Sequence, residues 1–336
     1  MRNVEPVGAS AKPALAVAIV GCGGVARSQH APAYQDTPDV RLVAGCDVDP
    51  ARAQGFAAQF GCRAYTDVVQ MLERERPDIV DVCTPETAHV EPVVTALDAG
   101  CHVLCEKPMA GSLEGGQRML AAAERSGRFL GVDYNYRFMP AFERMRGMIA
   151  SGELGQFGFL AAVVHSYCFH HALDLMRFLG GEVSGVMAQY THTEDPRYHF
   201  RVQLPDFVYC PSRNEVAILR FQHGGLASIT GSRFENLEWN MLRVDYLAER
   251  GKLVADAITT SNVVGRLTRW PGAEAVPLYD GERVGFSLAF RRSIAAFVEA
   301  VREGRPPPVT GHDGLRALEL EAAIVRSQAT GRYVAL

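Results

Sequence analysis

An apolar run, Ala16-Val17-Ala18-Ile19-Val20, passes straight into Gly21-Cys22-Gly23-Gly24-Val25-Ala26, and Asp47 closes a second apolar run that starts at Val40. Nothing else in the chain constrains the fold as strongly. A buried parallel strand followed at once by glycines lets the backbone turn tightly and approach a pyrophosphate, which then rests on the amide end of the next helix. Gly21 would make the turn and Gly23 would leave room for the phosphates. Gly24 and Val25 carry the chain into the helix, and Ala26 would hold that helix close to the sheet. An ordinary strand-to-helix loop also fits GxGxxA in a chain with 32 glycines, and Asp47 separates the two readings. It lies 26 residues beyond Gly21, against a usual spacing of about 20. A carboxylate there accepts hydrogen bonds from the ribose hydroxyls of NAD and repels the extra phosphate of NADP. NAD is the expected cofactor, and NADP stays open because Arg52 and Arg63 lie near in sequence.

The patterns after this turn alternate between strand and helix as far as residue 134. Residues 50–60 have helical spacing, and Tyr65-Thr66-Asp67 is expected to open a further helix through Leu72. Residues 78–83 read as a strand that ends before Pro85. A helix over 87–97 with Gly100 as its cap leads to a strand over 101–105, with Glu106-Lys107-Pro108 at its carboxyl end. A helix over 113–123 and a strand over 129–134 complete the series. The expected fold class is α/β, with a Rossmann-type doubly wound parallel sheet over residues 1–134, of which 1–13 are expected to be flexible.

From Asn135 the rhythm changes. Helices are expected over 140–149 and 171–179, and longer alternating strands over 157–167, 182–190, 215–222, 226–232, 240–246 and 252–257. Two further helices, over 286–301 and 315–327, flank Gly304-Arg305-Pro306-Pro307-Pro308. Residues 135–336 therefore read as an α+β domain for substrate binding and oligomerisation, built on a large, mostly antiparallel sheet. One broad open sheet leaves a face to cover, so a homodimer or homotetramer is expected.

Composition narrows the function classes. A net charge of -4 over 336 residues offers no field for nucleic acid or acidic lipid, so neither is an expected partner. The first apolar run is too short for a secretion or membrane segment, and the protein is expected in the cytoplasm. The eight cysteines fall mostly within or beside expected strands, which suits small buried hydrophobes better than a disulfide framework. Cys168, His170 and His171 are adjacent or nearly so, point in different directions and lack a fourth ligand at suitable spacing, so no metal site is expected.

The chain resembles the Gfo/Idh/MocA oxidoreductases over nearly its whole length. The matching residues are the Gly21 turn, Cys83-Thr84-Pro85 followed by His89, Glu106-Lys107-Pro108, Asn135-Tyr136-Arg137-Phe138, Gly152-Glu153-Leu154-Gly155, His171 with Asp174, and Gly311-His312-Asp313-Gly314. The resemblance implies NAD(P)-dependent interconversion of a secondary hydroxyl and a ketone on a sugar, cyclitol or related polyol. It makes Lys107 the residue on the reacting hydroxyl and His171 the catalytic imidazole. It also puts Thr84, Pro85, His89 and Glu106 on the cofactor side. Asn135 and Arg137 fall at the domain junction, where Arg137 serves either a cofactor or substrate contact or a structural ion pair. The family's usual aspartate four residues before the histidine is replaced here by Tyr167, and His165 lies two residues earlier. Tyr167 and His165 are both candidates for the missing role, and both also suit a core. Reduction of an imine or enone, a redox-neutral reaction with retained NAD, and a non-catalytic dinucleotide-binding regulator remain alternatives.

Overall fold

The computed structural model describes residues 13–165, 168–192, 213–232, 242–257, 266–270, 276–280 and 287–336. The expected flexible residues 1–12, Tyr167 and Cys210 lie outside the described residues. The first domain contains β1 (Leu15–Val20), α1 (Ala31–Asp36), β2 (Val40–Cys46), α2 (Pro50–Phe60), β3 (Arg63–Tyr65), α3 (Val68–Glu75), β4 (Ile79–Val82), α4 (Val90–Asp98), β5 (His102–Cys105), α5 (Leu113–Ser126) and β6 (Leu130–Val132). The six strands form one parallel sheet in the order β3-β2-β1-β4-β5-β6. The order reverses between β1 and β4, which opens the crevice where doubly wound sheets bind ligands.

The central strands are mainly apolar on both faces because helices cover both sides. Val17, Ile19, Ile79 and Leu104 pack with Tyr34 and Phe56 on one face, while Ala18, Val20, Val80, Val82 and Val103 pack with Met71, Val93 and Met119 on the other. The helix after the Gly21 turn begins with a π-helical turn at Ala26–His30, wider than the ordinary helix that the sequence pattern suggests.

Two boundaries differ from expectation. Tyr65 ends the short strand β3 rather than opening a helix, and Asp67 caps α3 by accepting from the Gln70 N–H at 2.7 Å. The α4 helix starts at Val90 after a single 3-10 turn at Glu86–Ala88.

The second domain adds α6 (Pro140–Ala150), β7 (Phe157–His165), α7 (Phe169–Gly180), β8 (Val183–His192), β9 (Arg213–Phe221), β10 (Leu226–Ser232), β11 (Leu242–Ala248), β12 (Gly251–Ala257), β13 (Arg266–Trp270), β14 (Val276–Asp280), α8 (Ser287–Glu303), α9 (Gly311–Thr330) and β15 (Val334–Ala335). Its nine strands run in the order β14-β13-β12-β11-β7-β10-β9-β8-β15, antiparallel except for the β7–β10 pair. One face packs under α6, α7 and α9. The other leaves Val163, Met187, Val216, Ile218, Leu226 and Leu247 between 38 and 49 % exposed.

The last two long helices return to the first sheet. Ile294, Phe297 and Val298 of α8 join the core on one face, and Ala317 and Leu318 of α9 join it on the other. The α9 helix opens four residues earlier than its apolar pattern implies, because Thr310 and Asp313 form a reciprocal capping box. Seven cysteines are free among the described residues, six of them buried. No helix of the described residues is long and apolar enough to cross a membrane.

Candidate active site

The crevice at the β1–β4 switch is shaped first by glycine. Gly21 has φ +93°, and a Cβ there would lie 2.6 Å from the Cys83 carbonyl carbon and the Thr84 nitrogen, so only glycine lets the turn pass the end of β4. Cβ atoms on Gly23 and Gly24 would meet nothing within 4 Å, leaving open space above the turn.

Asp47 braces this turn. Its Oδ2 accepts from the Cys22 N–H and its Oδ1 from the Asp49 N–H, both at 2.9 Å. Each oxygen keeps a lone pair for a further donor. Arg27 does not compete for that carboxylate: its guanidinium donates to the Cys22 carbonyl, to Gln59 and to the Arg52 carbonyl, and lies 5.7 Å over the Phe56 ring. Arg63 is held by Glu75 at 2.9 Å, and Arg52 pairs with Asp49 at 3.5 Å.

His89 staples two loops of the crevice together. Its Nε2 lies 2.7 Å from the Thr84 carbonyl, and its Nδ1 lies 3.1 and 3.2 Å from the Pro108 and Met109 carbonyls. Burial pulls its pKa down despite those carbonyls. Glu106 likewise spends its oxygens on the protein: Oε1 lies 3.0 Å from His30 Nε2, and Oε2 accepts from the Lys107 N–H at 2.9 Å. Burial raises the Glu106 pKa, but the His30 hydrogen bond and the Lys107 charge bring it below the usual range. The polar atoms of His89 and Glu106, both expected on the cofactor, thus shape the crevice from behind.

Two groups stand ready for a ligand. Thr84 Oγ1 and both amide atoms of Asn135 are buried without a hydrogen-bond partner among the described residues. Such groups are normally satisfied, and a bound dinucleotide would supply donors and acceptors there. With the glycine turn and Asp47, these residues fit NAD.

The second domain closes the site from the other side. His171, in the first turn of α7, stacks on Tyr136 with ring centroids 3.8 Å apart and planes at 5°, and meets the edge of Tyr134 at 6.0 Å. Cys168 Sγ and the Tyr136 hydroxyl lie 3.3 Å apart. Burial pushes the His171 pKa well below the ordinary imidazole value, and the charges of Lys107 and then His170 push it further. His170 is depressed by burial and by Lys107 in the same way. Lys107, carried by the first sheet, and His171, carried by the second domain, therefore share one electrostatic environment, and both imidazoles are neutral at pH 7.

Arg137 forms the structural ion pair. Its Nε and Nη2 bind Asp174 at 2.8 and 2.5 Å, Nη2 also reaches Asp313 at 3.0 Å, and Arg177 lies 3.5 Å from the same Asp313. This clamp ties the Asn135–Phe138 turn to α7 and to the first turn of α9, behind His171. His165 is buried at the end of β7. Sequence reasoning missed Tyr136 as the partner of His171, although it sits inside the quoted Asn135–Phe138 segment. It missed His30 altogether, since a lone histidine in a segment of mixed polarity carries no readable signal.

Residues 15–134 match the family profile described as oxidoreductase family, NAD-binding Rossmann fold, and residues 165–336 match its C-terminal alpha/beta domain. Among curated proteins, D-glucoside 3-dehydrogenase of Escherichia coli K12 is 39% identical over 143 residues, a stretch spanning 42% of this chain and 41% of that protein. D-apiose dehydrogenase of Paraburkholderia graminis is 26% identical over 95% of this chain and 89% of its own length. The crystal structure of the WlbA dehydrogenase from Bordetella pertussis, in complex with NADH and UDP-GlcNAcA, superposes with a TM-score of 0.77 at 25% identity, over 96% of this chain and 98% of that one.

Proposed function

We propose, since the chain belongs to the Gfo/Idh/MocA oxidoreductase family, that this NAD(P)-dependent oxidoreductase interconverts a secondary hydroxyl and a ketone on a sugar, cyclitol or related polyol. The observation that carries the reading is that His171, buried and stacked on Tyr136, lies within electrostatic reach of Lys107, which follows the strand beside β4. NAD, when bound, supplies the hydride acceptor. In the oxidative direction the Lys107 ammonium donates a hydrogen bond to the substrate oxygen and stabilises the growing alkoxide. His171 takes the hydroxyl proton; it is suited to this because burial and Lys107 hold its pKa down, and its Nδ1 has no hydrogen-bond partner among the described residues. Tyr136 fixes the plane of the imidazole by stacking.

NAD rather than NADP is the favoured carrier, because the Asp47 carboxylate on the glycine turn keeps lone pairs for ribose hydroxyls and Arg27 is spent elsewhere. The half-exposed apolar patch on the outer face of the large sheet supports a homodimer or homotetramer, and the cytoplasm is the proposed compartment.

The test is to incubate the protein with NAD and a panel of inositols, hexoses and sugar acids while following NADH absorbance. Sustained NADH formation with one class, lost by about a hundredfold in Lys107→Ala while NAD affinity is kept, is the expected result. Unchanged turnover in that variant would remove Lys107 from the mechanism.

A further inference from the structure

A buried charged cluster lies under the strand ends that form the crevice, and neither the hydride step nor cofactor binding uses it. Asp81 lies in β4, where its row neighbours in the sheet are Ile19 and Leu104. A carboxylate on that apolar face is costly unless it is paired. Its partner is His30, delivered by the π-helical turn that follows the glycines. His30 Nδ1 lies 2.8 Å from Asp81 Oδ2, and Nε2 lies 3.0 Å from Glu106 Oε1 and 3.7 Å from Asp133 Oδ2. Neither His30 nor Asp81 nor Asp133 has any exposed surface.

A neutral imidazole has one N–H, whereas carboxylates on both ring nitrogens ask for two donors. The arrangement is therefore that of an imidazolium bridging two carboxylates. Burial works against that charge, but the Asp81 carboxylate on Nδ1 outweighs it and raises the His30 pKa well above its ordinary value. The remaining groups around the ring are the Tyr34 hydroxyl from α1 and, from α8, Phe290 with its ring centroid 5.3 Å away and Ser293, which donates to Asp133 Oδ1 at 2.5 Å.

The bridge does not end at Glu106. The second oxygen of Glu106 accepts from the backbone N–H of Lys107, so one continuous chain runs from the floor of the sheet to the residue that meets the substrate. We propose that His30 is a positioning residue for Lys107: by bridging Asp81 and Glu106 it holds the Glu106 carboxylate on the Lys107 backbone amide and sets where the lysine side chain enters the crevice. The inference rests on Lys107 acting as argued above.

The test combines His30→Gln, Glu106→Gln and their double variant with heteronuclear NMR of the histidine rings in the cofactor-free wild type. Each single variant should lower kcat by about ten- to a hundredfold while substrate KM and NAD Kd move by less than about threefold. The double variant should be no worse than the deeper single one, because both break one device. In the wild type both His30 ring nitrogens should stay protonated at mildly alkaline pH. A neutral His30 ring, an unchanged kcat in folded His30→Gln, or losses that multiply in the double variant would each overturn the proposal. Should His30→Gln fail to fold, Glu106→Gln and the wild-type ring state decide by the same criteria. If Lys107→Ala keeps its turnover, the parent reading falls. If Lys107→Ala is inactive and His30→Gln is not impaired, only this inference falls.

Discussion

Asp47→Asn separates cofactor binding from cofactor choice. The carboxylate already accepts one backbone N–H on each oxygen, from Cys22 and Asp49, and on the proposed reading its remaining lone pairs accept from ribose hydroxyls when NAD binds. A hydrogen bond to a charged acceptor contributes about 1.5–3 kcal/mol, and the amide keeps only one accepting oxygen. Loss of one such bond weakens NAD by about ten- to a hundredfold. NADP responds in the opposite direction. Unit charges about 4 Å apart repel by about 1 kcal/mol in water and about 4 kcal/mol near a protein surface, so removing the charge strengthens NADP by about fivefold to several hundredfold. The ratio of the two dissociation constants should therefore shift by at least about fiftyfold toward NADP. The substitution also turns an amide NH2 toward either the Cys22 or the Asp49 N–H, at a stability cost of about 1–3 kcal/mol, so thermal melting must accompany the titrations. Equal changes in both constants, in a variant that remains folded, would refute the ribose assignment.

Gly21→Ala should abolish NAD binding by more than about tenfold, since it combines a left-handed residue with a Cβ 2.6 Å from the Cys83 and Thr84 backbone; retained affinity in titration would contradict the close approach. Arg137→Met leaves Asp174 buried without its bidentate partner and should cost about 3–5 kcal/mol in urea denaturation; a loss below about 1 kcal/mol would show that Arg177 and solvent compensate. His170 and His171 have folded pKa values below the ordinary 6.5, so the unfolded chain takes up protons that the folded chain refuses. Their contribution to stability is complete above pH 6.5 and is lost as pH falls toward their folded values. His30 has the opposite sign: its contribution is complete below 6.5 and is lost as pH rises through its raised folded pKa. Denaturation midpoints should fall on mild acidification in the wild type and fall less in His170→Gln; identical slopes would refute the assignment.

Much of the first domain was legible because its signals are local. The helix over Pro50–Phe60 and the strand over Val40–Cys46 have the boundaries that periodicity implies, since each is a complete apolar pattern between a cap and a turn. The short strand β3 was not legible: three residues paired only to β2 carry no period of their own. The same holds for β13, β14 and β15, which form or approach the edges of the large sheet, where burial does not impose a strong pattern. Of the candidate site, Gly21, Asp47, Lys107 and His171 were visible because a glycine turn, an acid closing a strand and a family motif each leave a mark in adjacent residues.

The sequence by itself determined the alternation of strands and helices, the glycine turn and its acid, and the residue types available for hydride chemistry. These depend on backbone sterics and on apolar periods within about twenty residues. Only the tertiary structure decided which polar groups face one another. It turned Glu106 and His89 away from the crevice, committed Arg137 to Asp174 and Asp313, stacked Tyr136 on His171, and closed His30 between Asp81 and Glu106. The reason is that burial makes an unpaired charge or donor costly, so each buried polar group takes whichever partner packing brings within about 3 Å, and sequence separation plays no part in that choice.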